Sequence, residues 1–529
     1  MKKIYTLFYC ILCSIVLYAQ VPAKDTIVPA KGNIKNQLKD IKEKKVALQS
    51  DSGGHEPGKL LHFDSTKTDR YGDLLNDDTA YTQRKPLWKP ALQVVAENTL
   101  LNLLDRSVLN LEFAKVDLHT WSRTTRAGFP WSSNWEWDQD RFGNNFLSHP
   151  MMGNFYFNAA RSNGYNFWQS APFVFAGSYM WKIFGENGKP EREDLLNTTF
   201  DGILLGEVLY RLSSNILDDR TTGPERAFRE ILAGLINPVR GVNRLFQGKS
   251  FRRTNKEIYQ KEPVNITFFA GVHSINSRIN GILSGHNDEM LNVQLDYGNP
   301  FEVRPRKPYD FFKFRAELNF GVGRKFVDNI TGYGFLLGKN VQIGKLSMLV
   351  GGFQYYDYFD TKSFELSTIA FGAGVLTKLP LSKTSNLYVN LHVAGVPFAG
   401  SSLGPVTDTS QFRDYRFAYG WEAKIESAVN IGKYGTLQLL YYYYFIHSFN
   451  NTGNDESTIG TLGNNYIGVL KPRITIHLYK TLSIGLEHNI YTNDHYQASY
   501  PNLHFTQTEQ RIFLMFYWED PQRRGHYNL

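Results

Sequence analysis

From Val264 to the C-terminus, apolar and polar residues alternate along the chain, and this pattern most constrains the fold. In DFFKFRAELNFG, the apolar side chains from Phe312 to Phe320 alternate with charged or amide side chains. A period of two predicts β-strands, because successive side chains of a strand point to opposite faces. About twelve such segments follow one another, separated by turns rich in Gly, Asn and Asp, and most are long enough to be tilted membrane strands.

The N-terminus has the layout of a secretory signal. Lys2 and Lys3 precede an apolar run that stops at the small residue Ala19, so we expect cleavage near Ala19 or Gln20. The run is shorter than the roughly 18 residues of a spanning helix. Both cysteines lie inside it, so the mature chain is expected to have no disulfide, thiolate metal site or cysteine nucleophile.

Export and strand periodicity together predict the fold class, a membrane all-β barrel of about 12 antiparallel strands preceded by an α-helical module. An aromatic share of 15% fits this class, and the stretch QLLYYYYFIHSF is typical of an aromatic girdle. We therefore expect the protein in the cell outer membrane. The alternative is a secreted soluble β domain with an aromatic core. The net charge of +8 is spread along the chain, so nucleic acid is not an expected partner.

Composition predicts four segments. Residues 1–20 are the signal peptide, and residues 21–85, rich in Lys, Asp, Ser, Thr and Gly, form a disordered periplasmic tether. Residues 86–263 form the helical module, and residues 264–529 form the barrel. Helices are expected at Pro150 to Asn163, Pro172 to Asn187 and Pro224 to Leu235, with a longer one between the last two. On that longer helix, Gly202 and Gly206 predict a flat strip that a neighbouring helix can approach closely.

The polar side of the strands predicts the character of the lumen. If the apolar side chains face lipid, charged side chains of both signs point inward and can pair across a narrow lumen. These side chains are Lys313, Arg315, Glu317, Arg416, Glu422, Lys424, Glu426, Glu487 and Arg511. The pattern favours a closed or filled barrel over a wide pore. The helical module then covers one mouth, enters the lumen or lies on the inner leaflet.

His149 has two interpretations. Because it precedes Pro150, an extended backbone at a helix N-cap or just before it is the structural one. The functional one is a hydrolase that combines histidine, serine and an acid or amide. No GxSxG, HExxH or phosphate-cradling loop is present, so no catalytic residue is assigned. The candidates that remain are His149, Ser148, Ser178 and Glu186.

Other polar residues give weaker evidence for a functional site. Glu207 and Arg211 are spaced as an i,i+4 helix pair and are expected to form a surface bridge. The histidines of the barrel half lack the spacing of metal ligands, so neither a metal nor another cofactor is expected.

The segment around His149 resembles a family of exported Gram-negative outer-membrane proteins, the domain of unknown function 3943 family. The family pattern is an Asn, an HPxxGxxYYxxAR motif, serines, a Trp-Glu pair and an acidic, glycine-containing helix. The chain departs at Phe157, where a second Tyr is usual, and at Lys182, where Glu would follow Trp. The resemblance covers about Pro86 to Asn215 and implies a shared helical module, but no activity. The motif and structural positions are Asn145, His149, Pro150, Gly153, Tyr156, Ala160, Arg161, Gly164, Ser170, Ser178, Trp181, Asp201, Gly202, Gly206 and Glu207.

The function predicted from these features is a non-enzymatic envelope protein. Its helical module is expected to act as a plug or an interaction platform in transport or assembly. Outer-membrane lipids are the expected partners, with the barrel assembly machinery and periplasmic proteins as further candidates. The alternative is a barrel-borne lipid or lipopolysaccharide hydrolase that uses His149 with a serine and an acid or amide.

Overall fold

The computed structural model describes residues 86–130, 132–137, 140, 142–255, 257–275, 283, 285–320, 326–361, 364–402, 415–449, 462–497 and 502–519. The predicted signal peptide and its cleavage position, the predicted tether and the polar C-terminal end lie outside these residues.

Seven helices among the described residues precede the first strand. They are α1 (Trp88–Ser107), α2 (Leu118–Thr125), α3 (His149–Arg161), α4 (Phe167–Phe184), α5 (Arg192–Ile216), α6 (Gly223–Ile236) and α7 (Pro238–Phe246). None of the helices in the described part of the chain is long and apolar enough to cross a bilayer.

Two helix starts differ from the sequence prediction. Helix α4 begins at Phe167 and runs through Pro172, because Asn166 and Gln169 form a capping box ahead of the proline. His149 is helical, with φ −62° and ψ −40°, because a π-helical turn, Asn144–Ser148, leads directly into α3. The expected start at Pro172 and the expected extended backbone at His149 are therefore wrong.

The strands close into one antiparallel barrel, as predicted. They are β1 (Val264–Ile275), β2 (His286–Tyr297), β3 (Phe312–Asn319), β4 (Val327–Ile343), β5 (Leu346–Asp360), β6 (Glu365–Pro380), β7 (Ser385–Ser402), β8 (Tyr415–Ile431), β9 (Gly435–Ser448), β10 (Gly463–Tyr479), β11 (Leu482–Gln497) and β12 (Leu503–Glu519). Each strand pairs with its neighbours in sequence, and β1 pairs with β12. Closure gives every strand two partners and leaves no exposed sheet edge.

Charged side chains cross the lumen, also as predicted. Lys313 of β3 lies 3.1 Å from Glu426 of β8, and Lys471 of β10 lies 3.0 Å from Glu317 of β3. Aromatic and aliphatic side chains fill the space beside these pairs. The prediction for QLLYYYYFIHSF needs correction, because alternate tyrosines face inward. Tyr442 donates to Glu426 and Tyr444 to Asp357, so only the other two tyrosines face outward.

The helical module is fixed to the outside of the barrel wall. On β5, Asp357 faces the lumen because it pairs with Lys424 of β8. Strand alternation therefore turns Gln354, Tyr356 and Tyr358 outward. The outward side chains contact the module: Gln354 Nε2 donates to the Phe200 carbonyl at 2.8 Å, and the Tyr356 hydroxyl donates to the Phe146 carbonyl at 2.5 Å. The ring of Phe142 stacks on that of Tyr358.

Helices α3 and α5 cross at glycines, which confirms the predicted flat strip. A Cβ added to Gly153 of α3 would lie 2.7 Å from the Cα of Gly202 on α5. A Cβ added to Gly206 would lie 2.7 Å from the ring of Phe157. The two backbones can approach this closely only because these positions have no side chain. The crossing brings the start of α5 next to the start of α3, where His149 lies.

Candidate functional site

His149 is the first residue of α3, and it contacts a carboxylate that was not among the predicted candidates. Its Nε2 lies 3.0 Å from Oδ1 of Asp194, in the first turn of α5. The histidine side chain is 22% exposed, whereas that of Asp194 is only 3% exposed. The pair therefore lies at the rim of the module, with the histidine toward the surface.

Lys182 of α4 joins this pair to further carboxylates. Its Nζ contacts Oδ2 of Asp194 and lies 2.7 Å from both Glu186 and Glu191. Burial lowers the pKa of Lys182, but the surrounding carboxylates outweigh it, so the pKa is well above its usual value. The ammonium is therefore charged at neutral pH and holds the carboxylates together. We call His149, Lys182, Glu186, Glu191 and Asp194 the outer cluster.

The outer cluster also determines the ionisation of its central acid. Burial opposes the ionisation of Asp194, but the neighbouring His149 and Lys182 favour it more strongly. The pKa of Asp194 is therefore below its usual value of 3.8. Asp194 is an anion at neutral pH, which allows it to orient the imidazole.

The candidate serines differ in their surroundings. Ser148 is the exposed N-cap of α3, whereas Ser178 is buried on α4, one turn before Lys182. In a Ser-His-Asp hydrolase, Nδ1 of the histidine faces the acid and Nε2 faces the serine. His149 has the opposite orientation, because its Nε2 faces Asp194. The structure thus brings together two predicted candidates, His149 and Glu186, with Asp194, but it does not orient His149 toward a nucleophile in the usual way.

A second charge cluster lies deeper in the module and binds it to the barrel. Arg161 Nε lies 2.8 Å from Glu207 Oε2, and Arg211 Nε lies 2.8 Å from Glu207 Oε1. Arg211 also contacts Asp310, in the connection between β2 and β3. All four side chains are buried. The predicted surface bridge between Glu207 and Arg211 is therefore wrong, because α5 turns its polar side inward. We call Arg161, Glu207, Arg211 and Asp310 the inner cluster.

Two more motif residues form contacts within the module or with the barrel wall. Asn145 donates to the hydroxyl of Tyr415 on β8 at 2.7 Å, and its carbonyl accepts a bond from Asn197. The hydroxyl of Tyr156 donates to Asn98 of α1.

Three further motif residues, Trp181, Gly164 and Pro150, have contacts or backbone conformations that explain them structurally. The indole of Trp181 donates to Glu186 at 2.6 Å. Gly164 has φ 91°, a left-handed conformation that favours glycine after a helix. Pro150 occupies the first turn of α3. Asp201 differs from these residues: it is buried on α5, and its carboxyl oxygens lack hydrogen-bond partners in the described part of the chain.

No candidate metal centre is found among the residues that the structure describes. They contain no group of three or more His, Cys, Asp or Glu side chains placed to hold an ion. Lys182 occupies the middle of the outer cluster, where a cation would otherwise neutralise the carboxylates. The chemistry of this cluster is that of a salt-bridged histidine and acid pair.

Comparison with known proteins identifies the module but assigns no activity. Residues 134–239 match the family described as "Domain of unknown function (DUF3943)". This match confirms the family resemblance predicted from the segment around His149. No curated protein sequence matches the chain.

Solved outer-membrane structures align with about half of this chain. They include the NanC porin, at 8% identity and a TM-score of 0.26, with 48% of this chain and 98% of that chain covered. The outer membrane channel DcaP of Acinetobacter baumannii has 8% identity and a TM-score of 0.22, with 48% and 97% covered. OmpT of Vibrio cholerae has 7% identity and a TM-score of 0.23, with 48% and 96% covered.

Proposed function

We propose that this protein is an outer-membrane barrel that is closed by its own luminal side chains, and whose helical module is an interaction platform for envelope transport or assembly. The observation that carries the proposal is the position of the module. It is bonded to outward-facing side chains of the wall, such as Gln354 and Tyr356, whereas the lumen is occupied by side chains of the strands. This geometry favours the platform over the plug.

The outer surface of the barrel supports placement in a membrane. Large apolar side chains on the outward faces are exposed on many strands, and they include Leu391, Val393, Trp421, Leu439, Ile476, Leu486, Leu514 and Phe516. A bilayer covers such a surface, whereas water does not. Barrel strands of this kind are inserted by the assembly machinery of the outer membrane, which is the partner we expect during biogenesis.

The luminal contacts support closure of the barrel. Lys313 and Arg315 of β3 reach Glu426 of β8, and the guanidinium of Arg315 also donates to the hydroxyl of Tyr442 at 2.8 Å. A cavity of about 290 Å³, lined by residues such as Thr267, Gln438 and Arg473, lies among the luminal side chains. Elsewhere in the lumen, Tyr333, Tyr355, Tyr442 and Tyr444 belong to one buried cluster.

Conductance in planar bilayers tests closure. The full chain is expected to give no steady current, because the luminal pairs obstruct the path. A double variant, Arg315→Ala with Tyr442→Ala, is expected to open a measurable conductance. The control is Phe200→Ala, which removes a ring that packs on Phe371 of the outer wall and leaves the lumen unchanged. A steady current from the unaltered protein, or opening by Phe200→Ala, would contradict the proposal.

The His149–Asp194 pair favours a second candidate, a lipid or lipopolysaccharide hydrolase. A partly exposed histidine beside a buried carboxylate can act as a general acid or base, although here Nε2 rather than Nδ1 faces the acid. Mass spectrometry of outer-membrane lipids should compare cells that carry the native protein, His149→Ala, Ser148→Ala or Ser178→Ala. A matched control is His504→Ala, which breaks an exposed histidine and acid pair on β12. A lipid change that requires His149 and one serine, but not His504, would establish the enzyme.

A further inference from the structure

The polarity of helix α6 is inverted relative to a helix of a water-soluble protein. Its buried residues are Arg226 and Ala233. Its exposed residues include Phe228 at 65%, Ile231 at 63% and Leu235 at 63%. These three side chains recur every three or four residues and form one apolar stripe. A surface helix in water has its apolar stripe inside and its charges outside. In α6 the apolar stripe is outside and Arg226 is inside, while Glu225 and Arg229 pair near the N-terminal end of the helix.

Helix α4 also exposes large apolar side chains while it buries polar ones. It buries Ser170, Ser178 and Lys182, its only charged residue, together with the apolar side chains of Phe167, Val174 and Ile183. It exposes Trp168 and Phe175, which lie two turns apart on one side, and also Phe184 at its C-terminal end.

Helix α1 repeats the pattern. It buries Gln93, Asn98 and Asp105 beside Val94 and Leu104, while Leu92, Val95 and Leu103 are exposed. Three helices of one module therefore expose large apolar side chains while they bury polar or charged ones.

The polar interior of the module is internally satisfied to a large extent. The side chain of Asn158 donates to Asn154 and to the Gly206 carbonyl, and it accepts from Asn237. Asn243 similarly donates to Gln93 and Ser162. Interior amides that bond one another do not need water as a partner. These amides therefore need no hydrogen bonds from the surroundings of the module.

The apolar surface of the module continues the lipid-facing surface of the barrel. Along β8, the module covers Phe417, whereas the next outward residues, Tyr419 and Trp421, are exposed. Along β1, Val264 is buried against the module and Phe268 is exposed. The covered and exposed side chains lie on the same outward faces of the same strands. The medium that surrounds the exposed part of these strands therefore also contacts the edge of the module.

We propose that the exposed faces of α1, α4 and α6 bind the acyl chains of outer-membrane lipids, so that the module is embedded in the membrane beside the barrel. The inference goes beyond the platform role and rests on the outer-membrane placement proposed above. Acyl chains can cover Val95, Phe175 and Phe228 without requiring a polar partner. The inner cluster, which joins α3 and α5 to the connection after β2, holds the module in this position.

Quenching of a fluorophore at single cysteines tests the proposal. The sequence after Cys13 contains no cysteine, so single variants can be labelled in the mature full chain. Val95→Cys, Phe175→Cys and Phe228→Cys report on the three helices. Leu514→Cys reports on the outward face of the barrel, and Lys189→Cys reports on an exposed polar position of the module. Each labelled protein is reconstituted in phosphatidylcholine vesicles with or without brominated acyl chains, and aqueous iodide is the second quencher.

Brominated lipid is expected to quench positions 95, 175 and 228 about as strongly as position 514, and iodide is expected to quench position 189 alone. Quenching of the three helix positions by iodide and not by bromine would overturn the proposal. Protection of these positions from both quenchers would also overturn it, in favour of a second copy of the chain on this surface. If position 514 itself escapes the brominated lipid, the membrane placement of the barrel fails, which is a separate result.

Discussion

The outer and inner clusters both combine basic side chains with carboxylates, but they differ in accessibility and in charge balance. The inner cluster is buried throughout and joins a bidentate Arg161–Glu207 pair to Arg211 and to Asp310 of the barrel. The outer cluster reaches the surface at His149, and three carboxylates share the ammonium of Lys182. The buried inner cluster is closed to ligands, so its role is to position helices. The outer cluster has an accessible histidine, so it can also bind a ligand.

This difference separates the motif residues into two groups. Arg161 and Glu207 hold the module together and attach it to the barrel, so their occurrence in the motif needs no chemical role. His149 and Glu186 are partly exposed, at 22% and 17% of the side chain, so a ligand can reach them from outside the module. Substitutions in the inner cluster should therefore affect folding, and those in the outer cluster should affect function or pH dependence.

The largest effect is expected from Glu207→Ala. It leaves the buried guanidinium groups of Arg161 and Arg211 without their shared carboxylate, and breaking such a pair costs about 3–5 kcal/mol. Urea unfolding of vesicle-reconstituted protein, followed by tryptophan fluorescence, measures the change in the free energy of unfolding. The matched control in the outer cluster is Glu186→Ala, since Lys182 keeps two other carboxylates there. Equal losses in the two variants would remove the distinction between the clusters.

A smaller loss is expected from Gly153→Ala, which tests the helix crossing that positions both clusters. The added Cβ would lie 2.7 Å from the Cα of Gly202, so α3 and α5 must separate. Overpacking of this kind costs about 1–3 kcal/mol. The control is Gly188→Ala, because nothing lies within 4 Å of a Cβ at that position. The same unfolding assay would contradict the prediction if both variants were as stable as the unaltered protein.

Asp194→Asn should alter the pH dependence of the outer cluster. Because its folded pKa is below 3.8, Asp194 contributes stability above that pH, and the contribution is lost as the pH falls through the folded pKa. The variant loses this contribution at pH 7, by about 1.5 kcal/mol for a hydrogen bond to a charged group. Its free energy of unfolding should also change less than that of the unaltered protein between pH 5 and the acid limit. An unchanged acid slope would show that Asp194 is not the group that titrates.

The barrel could be predicted because its signals are local. Charged residues such as Lys313 and Glu426 mark the inward side of their strands in the sequence, and closure follows from an even set of alternating strands. The tyrosine run in β9 was misassigned because adjacent tyrosines give no clue to which of them face the lumen. Tyr442 and Tyr444 are recognised as luminal only through Glu426 and Asp357 on other strands.

The candidate site was less predictable because its geometry depends on the packing of three helices. The sequence identified His149 from its motif, but Asp194 lies on another helix and approaches only because Gly153 and Gly202 allow close contact. The burial of Glu207 and Arg211 was missed for a related reason. An i,i+4 pair is usually on the surface of a helix in water, and this module turns its polar sides inward. The regular spacing of Phe228, Ile231 and Leu235 in α6 did not reveal this arrangement, because such a stripe normally predicts a buried face.

The smallest effect is expected from Asp201→Asn, which tests whether a buried carboxyl outside both clusters is protonated. Burial raises the pKa of Asp201 well above its usual 3.8, so folding favours the neutral form. Stability from this group is present at low pH and declines as the pH rises above 3.8 toward the folded pKa. The isosteric amide should change the free energy of unfolding by about 1 kcal/mol or less near pH 4. At higher pH it should remove the decline, so the variant becomes the more stable protein. A variant that loses stability relative to the unaltered protein as the pH rises would show that the carboxylate of Asp201 is ionised and has a partner.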